Sequence, residues 1–395
     1  MKCVLMNKNT EVLVAEYDTV LNGFAAVERV LNIDFAPLII EKQYKMAPEN
    51  LAANLTKWFR GRGIPKWRDQ LDLLLSRLGV AAPEDLLDKS FGLSLADQYW
   101  LKPYDSTISY DEINFFDHDF DVAEFLNASF AEPRETSSGN QAALRTPNNT
   151  TDGMLKKTWI IDGGRRYLLK GGYKGDSLQP FNEVLATMIC ERLGLPHVKY
   201  ELGYVENTVV SKCECVTTKN TEIIPAYQVL YGEELRDGRA DYNKYIEILE
   251  RHGIVAARER MEDMLVLDYI IMNEDRHLNN FGVIRDVDTL RWLGAMPIFD
   301  NGQALNVLSY GDGEIAIGGE GRFFYEIDKF DNIITVVQGL KRYDFEKLDG
   351  VVEDYREMLT MNMEKANLST ARINALCAVL KGQIEKIKAL QKPRK

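Results

Sequence analysis

Three oxygen-bearing side chains in the second half of the sequence have the types and spacing that phosphoryl transfer needs. Asp275 and Asn280 belong to the segment DRHLNN, and Asp300 follows 20 residues beyond Asn280 in the segment PIFDNG. Transfer from ATP requires an Asp that orients the attacking hydroxyl, and an Asn and a second Asp that hold Mg²⁺ against the phosphates. A hard cation that keeps several waters needs only such sparse oxygen ligands. The pattern therefore predicts Asp275 as the catalytic base and Asn280 and Asp300 as metal ligands.

Each of these motifs alone also has an ordinary structural interpretation. DRHLNN is typical of a polar helix C-terminus, and IFDNG is typical of a strand followed by a turn. The order of the two motifs, and the apolar run MLVLDYIIM before them, favours the functional interpretation. The intervening segment FGVIRDVDTLRWLGAMPIFD is expected to form a hairpin that returns Asp300 to the DRHLNN loop.

Upstream residues complete a possible nucleotide site. Lys170 ends the apolar strand YLLK and is expected to contact ATP phosphates, and Glu183 in the next helix is placed to pair with it. A solvated edge-strand lysine and an acidic residue favoured at a helix N-terminus are the alternatives. The loop TTDGMLKK, residues 150–157, is placed to lay backbone N–H groups over phosphates. It contains one glycine and matches neither standard phosphate-loop motif.

The elements that must position these residues form an α+β pattern. Alternation around Asn7-Lys8-Asn9 predicts a hairpin, and helical spacing predicts helices over 23–32, 51–59 and 69–78. Residues 131–153 are rich in Ser, Thr, Asn, Pro and Gly and are expected to be a mobile linker or loop. Short strands with one helix over 182–193 follow, and the chain is mostly helical from about residue 233.

Residues from about 145 to 390 resemble the HipA-type serine/threonine kinases, a branch of the kinase-like fold related to phosphoinositide kinases. The resemblance rests on the three residues above and on looser matches upstream. It implies an α+β, bilobal protein-kinase-like fold with a small antiparallel-sheet N-lobe, a helical C-lobe and an N-terminal α+β accessory domain. The expected divisions are an accessory domain (1–130), a linker with phosphate-binding loop (131–153), a kinase N-lobe (154–216) and a helical C-lobe (217–395).

The resemblance also implies site residues. The family's Ser-x-x-Gly-x-x-x-Lys loop is matched by Thr150, Gly153 and Lys157, and its Asn-Glu helix start by Asn182-Glu183. Its adenine-binding hinge falls near 213–215. The ATP-binding set implied in this way comprises Thr150, Gly153, Lys157, Lys170, Glu183, Glu214, Cys215, His277 and Asn279. Asn279 stands where the family commonly has Lys, so Arg276 or His277 is expected to supply charge near the γ-phosphate. Thr150 replaces the family's autophosphorylated Ser, which makes it a candidate for autophosphorylation.

What the family does sets the functional expectation. The resemblance implies an ATP- and Mg²⁺-dependent kinase acting on a protein Ser/Thr hydroxyl in the cytoplasm, as the toxin of a toxin–antitoxin system with a small DNA-binding, antitoxin-like partner. The DRH opening looks more like a phosphoinositide kinase loop, so phosphorylation of a lipid headgroup or small molecule stays open. Asn279 in place of Lys leaves open a non-catalytic nucleotide-binding sensor.

Composition limits the partners. The 395 residues include 48 Lys plus Arg and 60 Asp plus Glu, a formal net charge of −12, so direct nucleic-acid binding is not expected. No apolar run approaches ~18 residues, which predicts no membrane span. The five cysteines are odd in number and scattered, which favours reduced thiols of a cytosolic protein.

Overall fold

The computed structural model of the protein describes residues 1–130, 144–173, 177–236, 238–305, 321–324 and 327–391. Within these residues the fold is mixed α+β, as the sequence predicts, and it contains three antiparallel sheets. Residues 131–143 of the expected linker lie outside the described residues.

The N-terminal region is a four-stranded sheet covered by short helices, with strand order β3-β2-β1-β4. The strands are β1 (Lys2–Asn7), β2 (Thr10–Asp18), β3 (Gly23–Val30) and β4 (Tyr99–Pro103). The helices are α1 (Leu38–Met46), α2 (Leu51–Arg60), α3 (Leu71–Leu78), α4 (Pro83–Lys89) and α5 (Ala123–Phe130). The predicted hairpin and the helices expected at 51–59 and 69–78 are confirmed.

The helix predicted over 23–32 is wrong, because Gly23–Val30 forms the strand β3. Phe24 and Val27 are spaced as on a helix, but they contribute to the core between the sheet and α1 and α2. Pairing with β2 along the whole strand outweighs the weak helical pattern, since strand formation depends strongly on tertiary context.

A second four-stranded sheet follows, in the order β5-β6-β8-β7. Its elements are β5 (Lys157–Asp162), β6 (Arg165–Lys170), α6 (Gln179–Leu193), β7 (Tyr200–Val205) and β8 (Thr208–Glu214). Gly163 and Gly164 both have positive φ and form the β5–β6 turn. Gly194 ends α6 in the left-handed conformation that suits glycine at a helix C-terminus. Helix α6 packs against β7 and β8.

The rest of the described chain is mainly helical around a three-stranded sheet, β11-β10-β9. Its strands are β9 (Thr221–Pro225), β10 (Gly282–Asp286) and β11 (Trp292–Ala295). Its helices are α7 (Ala226–Leu230), α8 (Gly238–Arg251), α9 (Ala257–Ile271), α10 (Phe330–Ile333), α11 (Val351–Met361) and α12 (Thr370–Gln391). The predicted hairpin before Asp300 is confirmed as β10–β11. In the part of the chain that the structure describes, every helix is too short or too polar to cross a bilayer.

The described half of the expected linker is packed rather than exposed. Residues Pro147–Thr150 form a short 3-10 helix, in which Asn148 and Asn149 are fully buried. The Asn149 side chain donates hydrogen bonds to the carbonyls of Leu86 and Leu144, which leaves these residues little freedom.

A buried polar cluster joins the N-terminal sheet to the three-stranded sheet. Glu222 of β9 and Arg285 of β10 form an ion pair of 2.8 Å, and both side chains are almost inaccessible to solvent. The Arg285 guanidinium also donates to the Tyr99 hydroxyl of β4 at 3.1 Å. The N-terminal region is therefore attached through satisfied buried groups as well as through apolar contacts.

Candidate active site

Lys170 lies at the centre of a buried charge cluster at the end of β6. Its Nζ is 2.7 Å from Oε1 of Glu183 and 2.6 Å from Oδ1 of Asp300. Burial alone would lower the pKa of the Lys170 ammonium, but the two carboxylates raise it well above its ordinary value. The side chain also lies against the ring of Tyr200, 5.2 Å from its centroid. The predicted Lys170–Glu183 pairing is therefore present, and Asp300 belongs to the same cluster.

Helix α6 fixes the segment that carries Asp300. The backbone N–H of Asn301 donates to Oε2 of Glu183 at 2.8 Å, and the Asn182 amide donates to the carbonyls of Gly302 and Ala304. Asp300 itself has a φ of 55°, an uncommon left-handed value for a residue other than glycine. Burial opposes ionisation of Asp300, but Lys170 and Lys157 hold the pKa of its carboxyl well below its usual range.

Arg276 joins the DRHLNN loop to the Asp300 segment. Its buried guanidinium pairs with both carboxylate oxygens of Asp268, at 2.8 and 2.9 Å. It also donates to the carbonyls of Asn280 and Phe299, each at 2.7 Å, and to Oδ1 of Asn301 at 2.6 Å. These bonds use all five N–H donors of the guanidinium. No donor of Arg276 therefore remains for a direct hydrogen bond to a ligand, and the expectation that its charge acts near the γ-phosphate stays a prediction.

Asp275 lies beside this junction with its carboxylate partly exposed. Its Oδ1 accepts a hydrogen bond of 3.0 Å from Arg322, and its Oδ2 is 3.7 Å from Nε2 of His277. Burial raises the pKa of Asp275 above its ordinary value, and the nearby Asp300 carboxylate adds to the rise while His277 and Arg322 oppose it. The structure thus brings Asp275 and Asp300 together at one site, although 25 residues separate them.

Asn280 is oriented by the loop it belongs to. Its Nδ2 donates to the backbone carbonyl of Asp275 at 2.8 Å, which leaves the amide oxygen as the atom available to a cation. Among the described residues, no group of three or more His, Cys, Asp or Glu side chains is arranged to hold a metal ion. One amide oxygen and the Asp300 carboxylate do fit Mg²⁺, which is usually bound by one or two protein groups together with substrate phosphates and water.

The predicted phosphate loop lies over Lys157, the first residue of β5. Gly153 has a φ of 96°, and a Cβ atom at this position would lie 2.4 Å from Nζ of Lys157. Lys157 pairs with Lys170 across β5 and β6, and burial lowers the pKa of its ammonium. The Thr150 hydroxyl lies within hydrogen-bond distance of the carbonyls of Pro147 and Leu93, at 3.0 and 3.3 Å. Gly153 and Lys157 therefore belong with the charge cluster, whereas the Thr150 hydroxyl is engaged by the backbone.

The hinge positions lie at the end of β8, in the same sheet as Lys170. Glu214 is half exposed and 3.4 Å from Arg165. The Cys215 amide donates to the carbonyl of Arg166 at 2.8 Å, and its Sγ contacts the carbonyl of Leu95 in the N-terminal region. The backbone N–H of Cys215 is therefore engaged within the protein, and a role for these two residues in adenine binding stays a prediction.

His277 and Asn279 lie on the outer side of the loop. His277 Nδ1 accepts from the backbone N–H of Asn279 at 3.2 Å, and Asn279 is exposed. Their exposed position is compatible with contact to a bound nucleotide, which stays a prediction.

The sequence motifs do not indicate several residues of the site. Asp268 anchors Arg276, Tyr200 covers Lys170, Arg322 contacts Asp275 and Arg68 contacts the phosphate loop. Asp268 carried a usable signal, because it is an acidic residue within the apolar second half of α9 and a buried charge needs a partner. The other contacts span 30 to 83 residues and have no local pattern.

Two solved bacterial structures are similar to this chain. The proinflammatory kinase CtkA of Helicobacter pylori aligns with a TM-score of 0.47 and 18% identity, over 60% of this chain and 92% of its own. HipA of Shewanella oneidensis MR-1, solved with HipB and its operator DNA, aligns with a TM-score of 0.51 and 12% identity, over 100% of both chains. No protein-family model and no curated protein matches the sequence. The full-length alignment confirms the resemblance at the level of the fold, and this chain has the fold of the HipA-type kinases.

Proposed function

We propose that this protein is an ATP- and Mg²⁺-dependent kinase that transfers a γ-phosphoryl group to a Ser/Thr hydroxyl of a protein. The observation that carries the proposal is the meeting of Lys170, Glu183, Asp300, Asp275 and Asn280 at one site within a HipA fold. In a kinase these are the parts that position phosphates, hold the metal and orient the acceptor. The sheet β5-β6-β8-β7 would form the N-lobe of a bilobal kinase and the helices after it the C-lobe.

Asp275 is the proposed base. Its carboxylate is partly exposed, so an acceptor hydroxyl can reach it, and its raised pKa improves its capacity to take a proton. Asp300, whose pKa is held low, stays ionised and suits a cation instead. Two carboxylates in one site with opposite pKa shifts are what an acid–base residue and a metal ligand require.

Lys170 is proposed to contact the nucleotide, and Asn280 and Asp300 to hold its metal ion. When bound, Mg²⁺ neutralises charge that develops on the phosphates. The Asn280 amide oxygen and the Asp300 carboxylate would hold it, while Lys170 and Lys157 contact phosphate oxygens. Glu183 keeps Lys170 in place, because the ion pair fixes the direction of a side chain with four rotatable bonds.

The acceptor and the partner are proposed from the HipA fold. The Shewanella HipA was solved with HipB and operator DNA, which supports a small DNA-binding, antitoxin-like partner for this chain and a role as the toxin of such a pair. Offering radiolabelled ATP with separate protein and lipid pools tests the acceptor class. Label confined to protein Ser/Thr supports the proposal, and label in the lipid pool contradicts it.

The central test is Asp275→Asn, which keeps the size of the side chain and removes its basicity. We expect phosphotransfer to fall roughly a hundredfold to ten-thousandfold, the usual contribution of a positioned base. ATP binding, measured by thermal shift with ATP and Mg²⁺, should persist. The matched control is Glu274→Gln, the adjacent carboxylate, for which we expect near-normal turnover. Unchanged turnover in Asp275→Asn removes Asp275 from the mechanism, and ATP binding without turnover in the wild type contradicts catalysis.

A further inference from the structure

Arg68 of the N-terminal region reaches the phosphate loop and holds it by the backbone. Its Nη1 donates to Oγ1 of Thr151 at 2.9 Å and its Nη2 donates to the Thr151 carbonyl at 2.5 Å. Its Nε donates to the Gly153 carbonyl at 3.2 Å. All three bonds cross at least 83 residues of sequence, so they join the N-terminal region to the loop directly.

The burial of the Arg68 guanidinium would destabilise the fold if the loop did not accept its hydrogen bonds. Arg68 is 5% exposed, and the ion pairs between described residues include none with Arg68. Burial lowers the pKa of its guanidinium to about 10, with Asp152 of the loop acting in the opposite direction. Burying a guanidinium disfavours folding unless its hydrogen bonds are satisfied. Here the loop backbone supplies those acceptors.

The loop conformation that Arg68 holds is the one that covers Lys157. With the Thr151 and Gly153 carbonyls bound to Arg68, the Gly153 Cα faces Nζ of Lys157 so closely that a Cβ would lie 2.4 Å away. Lys157 in turn lies opposite Lys170 across β5 and β6, and Nζ of Lys170 is 2.6 Å from Oδ1 of Asp300. A further hydrogen bond, from the Asp69 backbone N–H to the Met154 carbonyl at 2.9 Å, holds the next residue of the loop.

We propose that Arg68 is a positioning residue through which the N-terminal region holds the loop 151–154 in its nucleotide-binding conformation. The proposal rests on the proposed function, because it assigns the loop to ATP phosphates. Arg68 acts through Thr151 and Gly153 and has no part in the chemical step. The N-terminal region therefore contributes to nucleotide affinity as well as to the fold.

The first test measures the loop without any nucleotide. In the full chain, Arg68→Met keeps most of the side-chain volume and removes the donors. We expect amide hydrogen exchange of residues 151–157 to become roughly tenfold faster or more, because lost charge-assisted hydrogen bonds lower the free energy of local opening. The matched control is Arg62→Met. Arg62 is a comparably buried arginine of the N-terminal region, paired with Asp97 at 2.6 Å. The Arg62→Met variant should leave the amide hydrogen exchange of residues 151–157 unchanged.

The second test separates phosphate binding from general loosening. We expect the Kd for ATP with Mg²⁺ to rise roughly tenfold to a hundredfold in Arg68→Met, and the Kd for adenosine to change little. Arg68→Lys keeps the charge without the planar fork and should give an intermediate Kd for ATP. The acceptor KM, measured at saturating ATP, should stay as in the wild type.

Three results would overturn the proposal. Loop exchange that is unchanged in Arg68→Met, or raised equally in Arg62→Met, means that Arg68 does not hold the loop specifically. Faster loop exchange with an unchanged Kd for ATP means that the loop does not serve the phosphates. If the wild type binds no ATP, the proposed function fails, and the exchange experiment still decides whether Arg68 holds the loop.

Discussion

At the scale of single residues, Asp275 and Asp300 have opposite electrostatic environments although they share a site. Lys170 and Lys157 hold the Asp300 carboxyl ionised, whereas burial and the charge of Asp300 raise the pKa of Asp275. Residue type alone does not distinguish the two carboxylates, and their neighbours do.

The pKa of Asp275 gives a pH-dependent prediction. A base must be deprotonated, so we expect activity to fall as the pH drops through the pKa of Asp275, at a higher pH than for an ordinary aspartate. Arg322 lowers this pKa, so Arg322→Gln should move the acid limb of the kcat/KM profile to higher pH. The shift should be small, because Arg322 is largely exposed and solvent screens the pair.

The control for this experiment is Arg291→Gln, which removes an exposed arginine from the β10–β11 turn. Its profile should coincide with that of the wild type. An acid limb that moves to lower pH in Arg322→Gln contradicts the assignment, because the sign then differs from that of a lost cation.

At the scale of elements, the site depends on the close approach of β9 and β10. A Cβ atom on Gly282, the first residue of β10, would lie 2.1 Å from the Ile224 carbonyl of β9. Asn280 lies two residues before Gly282, and its carbonyl accepts a bond from Arg276. A displacement of β10 would therefore also move Asn280, the proposed metal ligand.

We expect Gly282→Ala to lower the free energy of unfolding by about 1–3 kcal/mol, the usual cost of overpacking. Activity should fall as well, because the strand must move away from β9. Chemical denaturation and phosphotransfer assays measure the two effects. Gly294→Ala on β11 is the control, since its Cβ would meet no atom within 4 Å. Equal losses in the two variants would show that strand glycines matter here for a reason other than space.

The sequence predicts which residues share the site better than it predicts the contacts that hold them there. Asp275, Asn280 and Asp300 could be placed together because two local motifs and one hairpin connect them. Arg276 is part of the same motif, but its partner Asp268 lies on the preceding helix, where a buried acidic residue indicates that a partner is needed without indicating which one. Strand β3 was missed because spacing alone does not reveal its pairing with β2.

At the scale of the whole molecule, the N-terminal region and the rest of the described chain share buried polar groups. Besides Arg68, the Glu222–Arg285 pair with Tyr99 lies between the N-terminal sheet and the three-stranded sheet. The contacts of Tyr99 with Glu222 and Arg285 link residues 123 and 186 positions apart, which no local sequence pattern can indicate. For the same reason, the boundaries expected at residues 130, 153 and 216 stay predictions.

The buried pair gives a stability prediction. Glu222→Gln leaves the Arg285 guanidinium buried without a counter-charge, so we expect the free energy of unfolding to fall by about 3–5 kcal/mol. Glu28→Gln, which removes a partly exposed pair with Lys2 at 2.5 Å, is the control and should change stability little. Urea titrations of both variants measure the difference. A loss in Glu222→Gln no larger than in the control argues against a structural role for the pair.

The bonds that tie the phosphate loop to the N-terminal region go mostly to main-chain atoms. Arg68 binds the carbonyls of Thr151 and Gly153, and the Asp69 amide binds the Met154 carbonyl. Every amino acid offers the same carbonyl, so side chains along much of this loop can be exchanged during evolution while the attachment survives. Related proteins can thus share this arrangement after their loop sequences have diverged beyond recognition.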